Sequence, residues 1–207
     1  MRTLIFDFDG TLADTFFIAA DVFRKLAAGR YPTDDKEIDV LRGLTAREAI
    51  RRVGVKWWQL PYIAFYARRQ MHRRQNEVEP IAGIAPVLRE LRKRGFSLFI
   101  VSSNSTKNVE DFLQRNQLDD AFQGVAGGVG LFAKAKALRK IAEQQKVMPA
   151  DCVYVGDEAR DVDAARRAGV PCIAVPWGYN TVAGLKRGHP EVIIKEPKEL
   201  LSIFKAP

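Results

Sequence analysis

Two carboxylates, Asp7 and Asp9, close a short apolar run at residues 4–6, and Gly10 and Thr11 follow them. Strand residues two apart point the same way. Both carboxylates can therefore face one pocket at the carboxyl end of a strand, where open parallel sheets bind ligands. Close carboxylates repel unless a cation or a proton sits between them. The pattern suits Mg²⁺, with one carboxylate as nucleophile and the other as proton carrier.

Three further groups carry chemistry. At residues 98–105 an apolar run ends in Ser102, Ser103, Asn104 and Ser105, and a helix is expected to begin near Thr106. Hydroxyls and free backbone N–H groups ahead of a helix bind phosphate oxygens, and helix capping is the plainer role for Ser105 or Thr106. Lys134 opens a helical stretch. A cation at that end opposes the helix dipole, which favours a role beyond local structure, with Lys136 as the competing lysine. Residues 153–157 form a buried strand pattern ending in Gly156-Asp157, and Glu158 and Asp161 follow at the start of a helix. N-capping accounts for one of these acids but not for all three.

The string Asp-x-Asp-Gly-Thr-Leu at 7–12 resembles motif I of the haloacid dehalogenase-like (HAD) phosphohydrolase superfamily, and the other groups resemble motifs II to IV in the family's order. The resemblance implies that Asp7 is the nucleophile and Asp9 the general acid and base. It implies that Ser102, helped by Asn104, contacts the phosphoryl group, and that Lys134 neutralises it. Asp7, the Asp9 carbonyl and Asp157 would hold Mg²⁺. Glu158 would lie near the metal, and Asp161 would orient Lys134 or a metal-bound water. The Lys-Pro pair that many relatives carry is absent here. The segment Gly178-Tyr179-Asn180 resembles a loop of phosphoglycolate phosphatase-like members. Asp9 favours phosphoryl transfer over attack on carbon, so the expected activity is a phosphatase acting on a small organic phosphate. A β-phosphoglucomutase-like mutase is the alternative enzyme, and a non-catalytic basic binding module is the alternative from another class. Arg42 and Arg47 lie near a position where sugar-phosphate relatives contact substrate; capping and solvation are their plainer roles.

Strand-like runs at 3–6, 97–101, 152–155, 171–175 and 191–194 alternate with helical patterns at 84–94, 108–116 and 135–145. This rhythm predicts an α/β fold, a Rossmann-like parallel sheet with helices on both faces. Residues 15–80 break it: helical patterns at 16–28, 45–53 and 61–74 appear without a convincing strand, and Thr45 with Glu48 reads as a capping box. The expected organisation is a core of residues 1–14 and 81–207 with an inserted small α-helical cap at 15–80.

The 207 residues carry 47% hydrophobic and 28% charged side chains, an ordinary balance for a globular protein. The first apolar run is short and acidic, and no uncharged stretch approaches a membrane span, so a cytoplasmic protein without membrane contact is expected. Cys152 and Cys172 read as buried core thiols, and zinc is not expected from so few ligands. Net charge is +8. Its excess gathers between Arg47 and Arg74, either a solvated helix face or an anion-attracting surface. No nucleic-acid reader motif accompanies it, so nucleic acid is not an expected partner. Oligomeric state is left open.

Overall fold

A computed structural model describes residues 3–26, 35–44, 46–130 and 133–205. In chain order, β1 (Thr3–Phe6) is followed by four helices, α1 (Phe16–Leu26), α2 (Asp35–Arg42), α3 (Ala46–Arg52) and α4 (Leu60–Arg73). Then come α5 (Ile84–Lys93), β2 (Ser97–Val101), α6 (Thr106–Arg115), β3 (Gly124–Ala126), α7 (Lys134–Gln145), β4 (Cys152–Gly156), α8 (Ala159–Ala168), β5 (Cys172–Ala174), α9 (Val182–Lys186), β6 (Val192–Ile193) and α10 (Glu199–Ile203). The six strands form one parallel sheet in the order β3-β2-β1-β4-β5-β6. The chain thus leaves β1 in opposite directions for β2 and β4, and this reversal opens a crevice at the strands' carboxyl ends.

Strand alternation sets which way the site residues point. Leu4 and Phe6 join a core cluster with Leu88, Leu98, Ile100 and Phe112, whereas Ile5 joins a second cluster with Leu138, Ile141, Tyr154 and Val162. Leu4, Ile5 and Phe6 are all fully buried, worth roughly 1.5–3 kcal/mol each. Continuing the alternation sends Phe8 to the first face, where its ring meets Phe112 edge-on at 5.0 Å. Asp7 turns to the face covered by α7 and α8.

The helical segment between β1 and α5 holds no strand among the described residues. Arg74 fastens its two ends, pairing with Asp21 on α1 at 2.8 Å and with Glu77 at 2.8 Å. Thr45 lies outside the described residues, so the capping box read from sequence does too; α3 runs Ala46–Arg52. Residues 27 and 28, the end of the first helical pattern, are also outside them. Cys152 and Cys172 are free and buried, as expected. No helix among the described residues is long and apolar enough to cross a membrane.

Candidate active site

The first carboxylate sits directly beyond β1. Asp7 is buried, its Oδ1 accepts the Phe8 N–H at 2.8 Å, and its Oδ2 accepts from Lys134 Nζ at 2.8 Å. Lys134 begins α7, is itself buried, and donates a second bond to Asp161 Oδ1 at 2.6 Å. One ammonium therefore ties together residues from β1, α7 and α8. Burial works against the charged lysine, but Asp161 and Asp7 outweigh it and hold its pKa well above the usual lysine value. Lys136 is exposed on the same helix, which settles which lysine reaches the carboxylates.

Asp161 is oriented from both sides. Its Oδ2 accepts the Glu158 N–H at 3.1 Å, closing the first turn of α8 as a capping box, while Oδ1 faces Lys134. Gly156 at the end of β4 makes room for it: a Cβ there would stand 2.7 Å from Asp161 Cβ and 2.8 Å from its Oδ2. The sequence reading took Gly156 as part of a motif; the packing supplies the reason for it.

Asp157, fully buried, accepts from Thr11 Oγ1 at 2.8 Å and from the Tyr179 N–H at 2.6 Å. A Cβ at Gly178 would collide with Asp157 Oδ2 and with the Gly10 carbonyl. The Gly178-Tyr179-Asn180 loop thus clasps Asp157. Its Asn180 side chain accepts the Ala159 N–H at 2.9 Å, and its Tyr179 hydroxyl lies 3.1 Å from Thr15 Oγ1. The contacts of Thr11 with Asp157 and of Thr15 with Tyr179 escape spacing analysis because they join residues 146 and 164 positions apart.

Asp9 is half-buried, and Asn104 Nδ2 donates to its Oδ1 at 3.2 Å. Ser102 Oγ is buried and accepts the Asn104 N–H at 3.0 Å. Ser105 caps α6 by accepting from Asn108 N, the plainer role given to it above. A cleft of about 560 Å³ opens over Asp9 and Asn104; Glu158, Arg160 and Tyr179 form one wall, and Met71 and His72 of α4 approach from above.

Arg42 and Arg47 are placed elsewhere. Arg42 donates to the carbonyls of Pro176 at 3.2 Å and Gly178 at 2.6 Å, and its guanidinium lies 4.7 Å from the centre of the Phe16 ring. It works as a tether between α2 and the loop that clasps Asp157. Arg47 is exposed on α3 and lines neither the cleft nor the apolar cavity of about 430 Å³ beside it. Two arginines of α4 also face away: Ala67 and Met71 line the cleft, and Arg69 and Arg73 are exposed on the far side of the helix.

The electrostatics of this site are those of a cation pocket. Ligand oxygens of Asp7, Glu158 and Asp161 lie within 4.8 Å of one another. Burial pushes the Asp7 carboxyl up to about 7 against the lowering pull of Lys134, with Asp161 adding to the rise. Burial also raises Asp157 well above the carboxylate range, with Glu158 and Asp7 contributing, and raises Asp9 against the pull of Asn104 and Lys134. Carboxylates outnumber the buried ammonium. An all-oxygen donor set of this kind fits a hard divalent cation such as Mg²⁺.

The chain is similar to known proteins in sequence and in fold. Residues 4–175 match the family model of the haloacid dehalogenase-like hydrolases. A phosphoglycolate phosphatase of Synechococcus elongatus is 36% identical over 203 residues, 97% of this chain and 96% of that protein. Pyrophosphatase PpaX of Bacillus cereus is 26% identical over 99% of this chain and 96% of its own. In fold, a haloacid dehalogenase-like family hydrolase from Streptococcus pneumoniae superposes with a TM-score of 0.80 at 23% identity, covering 99% of both chains. This chain belongs to the haloacid dehalogenase-like hydrolase family.

Proposed function

We propose that the protein is a Mg²⁺-dependent phosphatase that hydrolyses a small organic phosphate monoester through an aspartyl phosphate at Asp7, in the manner of a phosphoglycolate phosphatase. The observation that carries this reading is the buried Lys134, bonded at once to Asp7 Oδ2 and Asp161 Oδ1, beneath a cleft walled by Asp9 and Asn104. A structural ion pair does not need an open cleft above it; a nucleophile facing a dianionic substrate does.

Asp7, Asp157 and the Asp9 carbonyl would hold the Mg²⁺, with Glu158 and Asp161 behind them. The bound ion would supply the charge that lets a phosphate dianion approach a carboxylate. Lys134 pulls Asp7 toward its ionised form against the effect of burial, and adds its own charge beside the attacking oxygen. Ser102 and Asn104 cradle the phosphoryl oxygens. An Asp7 oxygen attacks phosphorus in line, the bond to the leaving oxygen breaks, and Asp9 gives that oxygen its proton. Water then attacks the aspartyl phosphate, Asp9 takes the water's proton, and inorganic phosphate departs with Asp7 restored. Burial raises Asp9's affinity for a proton, which suits a group that must both give and take one.

In this reading residues 1–14 and 81–207 form the catalytic core, and the helices within 15–80 act as a cap. Closure of α4 over the cleft would exclude bulk water while the substrate is positioned. A small phosphorylated metabolite is the partner, and the free thiols of Cys152 and Cys172 suit a reducing, cytoplasmic setting.

The test is release of product from a chromogenic phosphate ester with and without Mg²⁺, in the wild type and in Asp7→Asn. The amide keeps the shape of the side chain and loses its nucleophilicity. Steady turnover is expected only in the wild type with metal, with the circular dichroism of the variant unchanged. Normal turnover by Asp7→Asn would remove the proposed nucleophile.

A further inference from the structure

The chemistry of the cleft leaves the outer face of α4 unused. The inner face packs on α1 and sends Met71 against the core. The outer face is apolar as well. Trp58, in the 3₁₀ turn Trp57–Gln59 that leads into α4, is 59% exposed, Tyr62 is 64% exposed and Phe65 62%, with Trp57 beside them at 81%. Arg69 and Arg73 are exposed further along the helix, and neither makes an ion pair among the described residues. Steps of three and four residues put Trp58, Tyr62, Phe65, Arg69 and Arg73 on one stripe. A helix of a globular protein turns such a ring-bearing stripe inward; here it faces solvent.

The stripe is ordered, with its rings at the amino end and its guanidinium groups at the carboxyl end. No acidic residue lies between Glu48 and Glu77 to pair with those cations locally. Ring faces carry partial negative charge and attract cations. They offer a carboxylate-rich partner little, and a wholly apolar partner would bury the arginines unpaired. A second copy of α4 laid antiparallel answers both ends. Position 58 then meets 73, 62 meets 69 and 65 meets 66, because each pair is centred midway between Phe65 and Tyr66. Tyr66, whose ring lies 6.4 Å from that of Tyr62, joins Phe65 at the axis. The Arg69 side chains of the two copies would stand about 10 Å apart along the helices and further apart in space, beyond the ~8 Å Debye length at physiological salt. A parallel pairing would set arginine on arginine.

We infer that the outer face of α4 is a homodimer interface, in which two copies of the helix pack antiparallel about a two-fold axis and Arg69 and Arg73 of each copy stack on Tyr62 and Trp58 of the other. A covered aromatic side chain buries about 150–250 Å². At the exposures above, the four rings supply about 500 Å² per copy, or about 1,000 Å² for the pair. A stable interface needs ~1,200–2,000 Å², which the stems of Arg69 and Arg73 bring within reach. Rings and guanidinium groups are also the residue types that anchor such interfaces. The cleft lies on the other side of the helix, so the pairing leaves it open.

The experiment is sedimentation velocity from about 1 to 100 μM, a range that reaches the weaker associations of interfaces this size. It compares the wild type, Phe65→Asp, Tyr62→Arg and the exchange that combines Tyr62→Arg with Arg69→Tyr, each checked for folding by circular dichroism. The wild type is expected to sediment as a dimer in the upper part of the range. Phe65→Asp puts carboxylates among the rings at the axis, and Tyr62→Arg sets arginine on arginine. Each should weaken the pairing by about 100-fold or more, since every substitution strikes a two-fold interface twice. The exchange restores the ring-to-guanidinium pairs in reversed order and should recover association to within about tenfold of the wild type. A wild type that stays monomeric throughout would overturn the inference. So would a dimer that Phe65→Asp leaves intact, or an exchange no tighter than Tyr62→Arg alone. A monomer whose tryptophan emission shifts on phosphatidylglycerol vesicles would give the face to an anionic lipid surface and overturn it equally.

Discussion

Gly156→Ala probes how tightly the fold must hold Asp161. The added Cβ would lie 2.7 Å from Asp161 Cβ, where real contacts begin near 3.0 Å and are ordinary from 3.4 Å. Asp161 must therefore retreat by about 0.3 to 0.7 Å. It is pinned from the other side by Lys134 at 2.6 Å and by the Glu158 N–H at 3.1 Å, so the displacement passes into that network. Overpacking a close-packed site costs about 1–3 kcal/mol. Replacing glycine by alanine at an ordinary backbone angle returns about 0.4–1 kcal/mol from the unfolded state. The clash wins: a net loss of about 0.5–2 kcal/mol is expected, or a fall in Tm of roughly 1–8 °C for a chain of this size. The effect on catalysis should be larger. A misplacement of 1 Å costs about 100-fold, so a shift near half that should lower kcat about tenfold, with KM little changed. A calorimetric melt and steady-state hydrolysis of a chromogenic phosphate ester measure both. A variant with wild-type kcat and a Tm raised by the glycine-to-alanine gain would show that Asp161 has room to spare. A lowered Tm with wild-type kcat would show that its position does not bear on the chemistry.

Asp9→Asn should accept phosphate from an ester with a good leaving group and then stall, giving a burst followed by near-zero turnover; unchanged hydrolysis of an alkyl phosphate would exclude Asp9 as the proton carrier. Saturating Mg²⁺ at about 100 times its dissociation constant should stabilise the protein by about 2.7 kcal/mol and raise Tm by roughly 5–10 °C; the rise should shrink in Asp157→Asn, and a melt indifferent to Mg²⁺ in the wild type would count against the metal site. Because Arg69 and Arg73 face away from the cleft, replacing both by Gln should change kcat/KM by less than about twofold and leave its salt dependence alone. A marked fall at low salt would restore the idea that the basic segment steers anions to the site.

Much of the site was legible because its residues mark the ends of strands. Asp7, Ser102 and Asp157 each follow a continuous apolar run, and a parallel sheet puts all such ends at one edge. Lys134 was legible for a different reason: a cation at a helix start opposes the helix dipole, though spacing left Lys136 open beside it, and only the fold shows Lys134 answering to Asp7 and Asp161. The strand at Gly124–Ala126 was missed. It is three half-buried residues with a glycine among them, too short to show a period. The helices at Val182–Lys186 and Glu199–Ile203, five residues each, gave no amphipathic pattern for the same reason. Apart from its local ion pair with Asp39, the contacts of Arg42 could not be read. Spacing places it beside a glycine turn, but its partners are backbone carbonyls at 176 and 178, and carbonyls leave no signature in side-chain type.

The cluster of buried carboxylates around Lys134 is a poor way to stabilise a fold, and it suits the nucleophile proposed for Asp7. Asp7, Asp157, Asp161 and Lys134 are all buried, and a buried ion pair seldom repays the desolvation of its charges. The cost shows in Asp7, whose carboxyl rises from 3.8 to about 7 on burial even beside Lys134. With the folded-state value above the unfolded one, the folded chain holds the extra proton between those limits. The metal-free protein therefore loses stability as pH rises through that window, rather than gaining it as a salt-bridged carboxylate would. A divalent cation among these oxygens reverses the balance by making the ionised carboxylates the favoured state. On the proposed reading, the fold leaves part of its charge uncompensated where a cation and a phosphate dianion would together complete it.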